Sequence, residues 1–306
     1  MLNGVINIYK EKGFTSFDVV AKLRGILHQK KIGHTGTLDP DAEGVLPVCL
    51  GKGTKVVDML TDKDKTYRAV MLLGVTTDTQ DITGTVLEEK NLLEHPVSEE
   101  QVRSVISGFI GTYDQIPPMY SALKVNGKKL YELARQGITV ERKPRSITIH
   151  DIRILDVDLP RVTMEVDCQK GTYIRTLCHD IGQKLGTGAC MESLLRTRVG
   201  QFGLEDAMKL HEVEQLQDVK QVVIPIDALF DYKKVTIKDA FRKLVYNGNP
   251  FPEEAVESSV SLKDKESCLV YVDEHTFVGI YHYRAERKDF KLDKMFLDKE
   301  SEYADN

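Results

Sequence analysis

Asp39 is the residue in this sequence best placed to do chemistry. It sits in Gly33-His34-Thr35-Gly36-Thr37-Leu38-Asp39-Pro40, after a Gly-Thr-Gly turn and directly before proline. The glycines admit positive φ, and Pro40 pushes Asp39 toward extended backbone. The pattern places one carboxylate on a stiff, sharply turned loop with His34 close by. A carboxylate so held can act as a nucleophile without redox, metal or phosphate chemistry, although aspartate before proline is also an ordinary turn residue. No GxGxxG follows a strand, and Gly51-Lys52-Gly53-Thr54-Lys55 breaks the spacing of a phosphate loop. No HExxH or Cys/His ligand cluster is visible, so neither a metal nor another cofactor is expected.

The elements that must position Asp39 follow from periodicity. Ser16 is expected to cap a helix to about His28, with Val19, Val20, Leu23, Ile26 and Leu27 as its apolar stripe. Residues 65–75 and 85–89 read as strands. Ser98 and Gln101 open a capping-box helix through Phe109. Residues 114–145 read as a partly irregular insertion with a short helix at Leu130–Gln136, stopped by Gly137. Alternation over Val162–Cys168 predicts a strand, followed by a helix over 172–185 closed by Gly186. A second small domain is expected near Tyr232, with a helix over 239–246, an Asn-Gly-Asn-Pro breaker and three strands near 269–272, 277–282 and 290–296.

Composition bounds the class. The chain has 306 residues, 41% hydrophobic and 29% charged, which suits a globular protein of about two domains. No run of about 18 apolar residues appears, so no membrane span is expected. The N-terminus lacks the basic-then-apolar order of a signal peptide, and a cytoplasmic location is expected. Five scattered cysteines without CxxC spacing point to reduced, buried thiols. The formal charge of −5 argues against a generically basic nucleic-acid binder, but charge is unevenly spread. Between Lys124 and Arg145 seven basic residues face two acidic ones, and Lys30, Lys31, Lys52 and Lys55 add charge around the Asp39 loop. Asp298 to Asp305 reads as an acidic tail.

The block Gly33–Pro47 resembles the signature of the TruB-type tRNA pseudouridine-55 synthases. Five further blocks follow in that family's order: Lys65–Arg68, Leu73–Asp81, Gln115–Lys124, Tyr131–Gly137 and Lys170–Leu177. Together they cover roughly residues 1–230. The resemblance implies an α/β (α+β) catalytic domain over 1–231, with a mixed, largely antiparallel central sheet, and a small β-rich PUA-like domain over 232–306. It implies that Asp39 is the nucleophile, that Arg175 pairs with it and depresses its pKa, and that Tyr67 stacks on an extruded uracil and can help remove the C5 proton. Tyr173 and Leu194 would line the base pocket, and His34 would touch the RNA nearby. Lys124, Lys128, Lys129, Arg135, Arg142 and Lys143 of the insertion would grip phosphates of the tRNA T-arm, the insertion ordering on RNA. A monomer with no obligatory protein partner is expected. Two other readings stay open. Asp39, Asp41, Asp78 and Asp81 could gather a divalent metal for RNA hydrolysis, or the chain could be a non-catalytic tRNA-binding or folding module.

Overall fold

Strict alternation along Arg161–Cys168 puts Val162, Met164, Val166 and Cys168 on one fully buried face. The neighbouring strand, Lys65–Leu73, does the same with Lys65, Ala69, Met71 and Leu73. These strands pair antiparallel, Val166 opposite Tyr67 and Met164 opposite Ala69, and form the middle of a nine-stranded sheet. The computed structural model describes residues 1–125 and 127–297, so the acidic stretch from Asp298 lies outside the described residues.

In chain order the elements are β1 (Gly4–Lys10), α1 (Ser16–Ile26), β2 (Ile32–His34), β3 (Glu43–Leu50), α2 (Val57–Thr61), β4 (Lys65–Leu73), β5 (Val75–Thr77), β6 (Val86–Glu89) and α3 (Glu99–Ser107). There follow β7 (Gly111–Gln115), β8 (Lys124–Val125), β9 (Lys128–Lys129), α4 (Leu130–Arg135), β10 (Arg145–Asp158), β11 (Arg161–Cys168), α5 (Ile174–Leu185), β12 (Ala189–Val199), β13 (Phe202–Gly203) and α6 (Leu210–Glu214). The last are β14 (Lys233–Thr236), α7 (Arg242–Tyr246), β15 (Phe251–Pro252), β16 (Ser267–Tyr271), β17 (Phe277–Arg284) and β18 (Asp289–Met295). The chain divides into two compact units. The larger comprises Ile6–Cys49 and Val56–Val219; the smaller comprises Met1–Val5, Leu50–Lys55 and the chain from Lys220.

The main sheet runs β1-β3-β12-β4-β11-β10-β7, with β2 and β13 attached to β3 and β12. The β12–β3 pair is parallel, while β12–β4, β4–β11, β11–β10 and β10–β7 are antiparallel, so the sheet is mixed and largely antiparallel. One face is covered by α3 and α5. Val102 and Ile106 of α3, and Ile174, Leu177, Cys178 and Ile181 of α5, pack on the buried residues of β4 and β11. Their spacing is that of an amphipathic stripe, and each such side chain stabilises the fold by about 1.5–3 kcal/mol. The opposite face is polar, as expected for an antiparallel sheet with one solvated side. There Arg153 and Arg198 pair with Glu165 and Asp167.

Sequence expectations meet the structure closely at α3, whose Ser98–Gln101 capping box is formed, and at α5, which ends on Gly186 with φ +77°. All five cysteines are free and buried. One cap is corrected. Thr15, not Ser16, caps α1, in a reciprocal box with Asp18. Ser16 lies in the first turn and is buried, its hydroxyl accepting the Leu38 N–H at 2.9 Å. Lys52 and Lys55 fall in the smaller unit, where they donate to the carbonyls of Phe296 and Met295.

In the smaller unit five strands order as β14-β16-β17-β18-β15 around Val235, Phe251, Val270, Tyr281 and Phe290. The strands expected near 269–272, 277–282 and 290–296 are β16, β17 and β18. Among the described residues no helix is long and apolar enough to cross a membrane.

Candidate active site

The Asp39 loop joins β2 to β3 and is fastened along its length. Ser16 holds Leu38, and the Thr35 N–H and hydroxyl both donate to the Pro47 carbonyl at 3.1 and 3.2 Å. The Pro40 carbonyl accepts from the Gly13 N–H at 2.9 Å and from the Lys10 ammonium at 3.1 Å. Lys10 also donates to the Ala42 carbonyl at 2.5 Å. It is fully buried, and desolvation lowers its pKa to about 8. At the far end of the loop Gly44 has φ +107°, and a Cβ there would lie 2.2 Å from the Arg196 carbonyl oxygen, so only glycine lets β3 meet β12.

Arg175 reaches this loop from the first turn of α5. Its Nε lies 3.0 Å from Asp39 Oδ2 and its Nη2 3.4 Å from Oδ1. The same guanidinium donates to the carbonyls of Thr79 and Tyr120 at 3.1 and 2.8 Å, and Nη1 lies 3.4 Å from Asp81 Oδ2. A cation at a helix N-terminus opposes the helix dipole. Two carboxylates and two carbonyls offset that cost here. The Arg175 side chain is 7% exposed whereas that of Asp39 is 42% exposed. The carboxylate therefore opens on the cavity while its partner is fixed behind it.

The cavity has a volume of about 660 Å³ and is lined by Asp39, Tyr67, Tyr173, Arg175, Leu194 and Arg196 among others. The fold brings together five of the residues singled out in the sequence. Tyr67 comes from β4, partly buried against the main core. Leu194 lies opposite Ala69 on β12. Tyr173 caps α5, its N–H donating to Gln115 Oε1 at 2.8 Å and its carbonyl accepting from Gln115 Nε2 at 3.1 Å. His34, on β2, is partly buried beside the loop and does not line the cavity; its Nδ1 accepts the Gly36 N–H at 3.3 Å. Burial, with Arg196 nearby, lowers its pKa and keeps the ring neutral.

Of the six basic residues of the insertion expected to hold phosphates, Lys124, Lys128, Arg135 and Lys143 are exposed. Lys129 stacks over Tyr131, and Arg142 donates to the Pro117 carbonyl at 3.0 Å.

One electrostatic expectation is reversed. Burial in the cleft pushes the Asp39 carboxyl above the ordinary carboxylate range, against the downward pull of Arg175; Asp81 and Asp41 add to the rise, and Lys10 opposes it. Arg175 divides its charge between two carboxylates, and desolvation outweighs what remains. The metal reading also loses its geometry. Among the described residues no three His, Cys, Asp or Glu side chains gather as a ligand set, and a guanidinium already lies between Asp39 and Asp81.

Sequence reasoning missed four residues here: Lys10, Asp81 as a partner of Arg175, Gln115 and Arg196. Asp81 and Gln115 lie inside blocks that carry the family resemblance, and Asp81 was otherwise read only as a candidate metal ligand.

Comparison with known proteins identifies the family. Residues 24–174 match the model of the TruB family pseudouridylate synthase N-terminal domain, and residues 175–231 match the tRNA pseudouridylate synthase B C-terminal domain. The tRNA pseudouridine synthase B of Lachnoclostridium phytofermentans is 53% identical over 97% of this chain and 100% of its own. The chain belongs to the TruB family. The Alkaliphilus oremlandii member is 43% identical over 98% of this chain and all of its own. Among solved structures, a Cbf5–Nop10–Gar1 complex aligns with a TM-score of 0.72 at 29% identity, over 96% of this chain and 85% of that one. An H/ACA ribonucleoprotein bound to a substrate RNA containing 2′-deoxyuridine aligns with the same score at 26% identity, over 97% and 86%. TruB membership makes the chain an enzyme, an isomerase of the pseudouridine synthase class.

Proposed function

We propose that this enzyme converts uridine to pseudouridine at position 55, in the T-loop of tRNA, with Asp39 as nucleophile. The observation that carries the reading is the Asp39–Arg175 pair, 3.0 Å apart, at a cavity roomy enough to admit a nucleobase and lined by Tyr67. The reaction breaks the N1–C1′ bond, turns the detached base and joins C5 to C1′. The C5 proton leaves and N1 regains one, so no atom is gained or lost. A carboxylate can serve by attack at C1′ of the ribose or at C6 of the base.

The uracil must leave the stacked T-loop to reach Asp39, and unstacking costs a few kcal/mol. Tyr67 would offer an aromatic face to the flipped base, with Tyr173 and Leu194 on its flanks and His34 against the RNA outside. The exposed lysines and arginines of the insertion, with Lys129 and Arg142, would hold T-arm phosphates and help offset the flipping cost, with strong salt dependence and little sequence information. The β-rich chain from 232 would act as a PUA-like module on the acceptor-stem side. The protein would work as a monomer in the cytoplasm.

The test is incubation of unmodified tRNA with the purified protein, without added cofactor, followed by carbodiimide mapping. A single new stop at position 55 is expected. Absence of pseudouridine, or its formation elsewhere only, overturns the substrate assignment.

A further inference from the structure

Arg196 is 1% exposed, and no carboxylate among the described residues pairs with it. Its Nε donates to the Val45 carbonyl at 2.7 Å, Nη1 to Thr37 at 3.5 Å and Nη2 to Gly36 at 3.3 Å. Gly36 and Thr37 precede Asp39 closely, and Val45 follows just where the loop enters β3. The guanidinium therefore holds both ends of the nucleophile loop. Its further hydrogen-bonding partner is the hydroxyl of Tyr67, directly opposite on β4. A register shift between Arg196 and Arg198 lets β12 present the guanidinium at this point.

Burying a cation without a counter-ion is costly, and carbonyl dipoles compensate only in part. A surface arginine would avoid that cost, so its place here calls for a reason in the chemistry. Guanidinium has donors and no acceptor. Toward Arg196 the Tyr67 oxygen can therefore only accept, which leaves the phenolic proton to point elsewhere, toward the cavity.

We propose that Arg196 is a positioning residue for base isomerisation: it locks the Asp39 loop against Tyr67 and sets the Tyr67 hydroxyl as a donor toward the bound base. This rests on reading the cavity as the site of the flipped uracil.

The test uses full-length Arg196→Lys and Arg196→Gln, each checked for cooperative melting. Three quantities are measured: the single-turnover rate at saturating unmodified tRNA, the tRNA dissociation constant, and the ring 13Cζ resonance of Tyr67, identified by its disappearance in Tyr67→Phe. Lysine keeps the charge but cannot span three carbonyls and a phenol. Its rate should fall by about 10²-fold, the scale of a lost preorganised donor, with the dissociation constant within about threefold of wild type. The glutamine variant should be slower still. The Tyr67 resonance should move in both variants while tyrosines of the smaller unit stay in place. A folded lysine variant at the wild-type rate, a loss located wholly in tRNA affinity, or an unmoved Tyr67 resonance overturns the proposal. If glutamine prevents folding, the lysine variant decides alone. An inactive wild type would instead refute the functional reading, and the Tyr67 resonance still reports on the Arg196–Tyr67 pair.

Discussion

Two segments of the larger unit, the Asp39 loop and the basic insertion, are built in opposite ways. In the loop buried side chains hold five backbone groups: Arg196 takes the carbonyls of Gly36 and Thr37, Ser16 the N–H of Leu38, and Lys10 the carbonyls of Pro40 and Ala42. Two fully buried cations thus serve a stretch of seven residues. The insertion keeps most of its cations in water, and its regular structure is a two-residue hairpin and the six-residue α4. Among the described residues, its hydrogen bond to the Asp39–Arg175 pair is the one that the Tyr120 carbonyl accepts from Arg175. On the proposed function, geometry that chemistry requires is fixed in the fold, whereas the surface that would meet a large polyanion is left solvated, so that its desolvation and ordering would be deferred to binding.

The sharpest break of this contrast is Asp39→Asn. It should abolish isomerisation, by on the order of 10⁴-fold in single turnover, with tRNA affinity unchanged. Retained isomerisation would remove Asp39 from the mechanism. Next is Asp81→Asn, which frees Arg175 from its second carboxylate. A rate loss of about 10²-fold is expected from the loosened guanidinium. The pH profile gives a sign as well. As the proposed nucleophile Asp39 would have to be ionised to attack, and its raised pKa would place the acid limb above the ordinary carboxylate range. Asp81 is one cause of that rise, so its neutralisation should shift the limb to lower pH. A limb that stays in place would mean the profile reports another group.

On the insertion side, Lys128→Glu with Lys129→Glu should weaken tRNA binding and leave the saturated rate nearly intact. The slope of log affinity against log salt should fall by about 1 for each phosphate no longer neutralised. Unchanged affinity at low salt would take the insertion out of the RNA footprint. A lowered saturated rate would instead show that the insertion acts on Arg175 through Tyr120.

What could be read from the sequence follows the same divide. Elements with a local signal were legible: α1 by its apolar stripe, α3 by its capping box, α5 by its closing Gly186, β11 by alternation, α4 by its Gly137 stop. Three strands around the site were not, whereas β4, which carries Tyr67, was read as a strand. β3 is buried throughout and contains Pro47, so it shows no alternation and argues against a strand. β10 changes register twice, between Ile149 and Asp151 and between Ile154 and Asp156. β12 carries Glu192, Arg196 and Arg198, which read as a surface. Asp39, Tyr67, Tyr173, Arg175 and Leu194 were found through family resemblance and converge on one cavity. Lys10 and Arg196 were invisible because charged residues default to solvent, and only tertiary structure reveals carbonyls waiting for them.

The smallest expected effect tests how far the buried support extends behind Tyr173. Gln115, whose side-chain amide bonds both main-chain groups of Tyr173, also donates to the Tyr113 hydroxyl at 2.6 Å. Tyr113 in turn faces Asp180 on α5, and burial raises the Asp180 carboxyl to about 6. A carboxyl whose folded pKa exceeds its unfolded value favours the folded state while protonated, and this contribution is lost as pH rises from about 4 through about 6. At neutral pH Asp180 is therefore a buried charge that the fold tolerates rather than uses. Asp180→Asn keeps an oxygen for Tyr113 and removes that charge. Its Tm should exceed the wild-type value by about 2 °C at pH 7.5, the scale of a sub-kcal/mol gain, and the gap should close by pH 4. Scanning fluorimetry across that range reads both. A Tm below wild type at pH 7.5 would show that the ionised carboxylate is needed to orient Tyr113, and through it Gln115 and Tyr173. The buried support of the site would then reach one residue further than the hydrogen bonds to Tyr173 alone require.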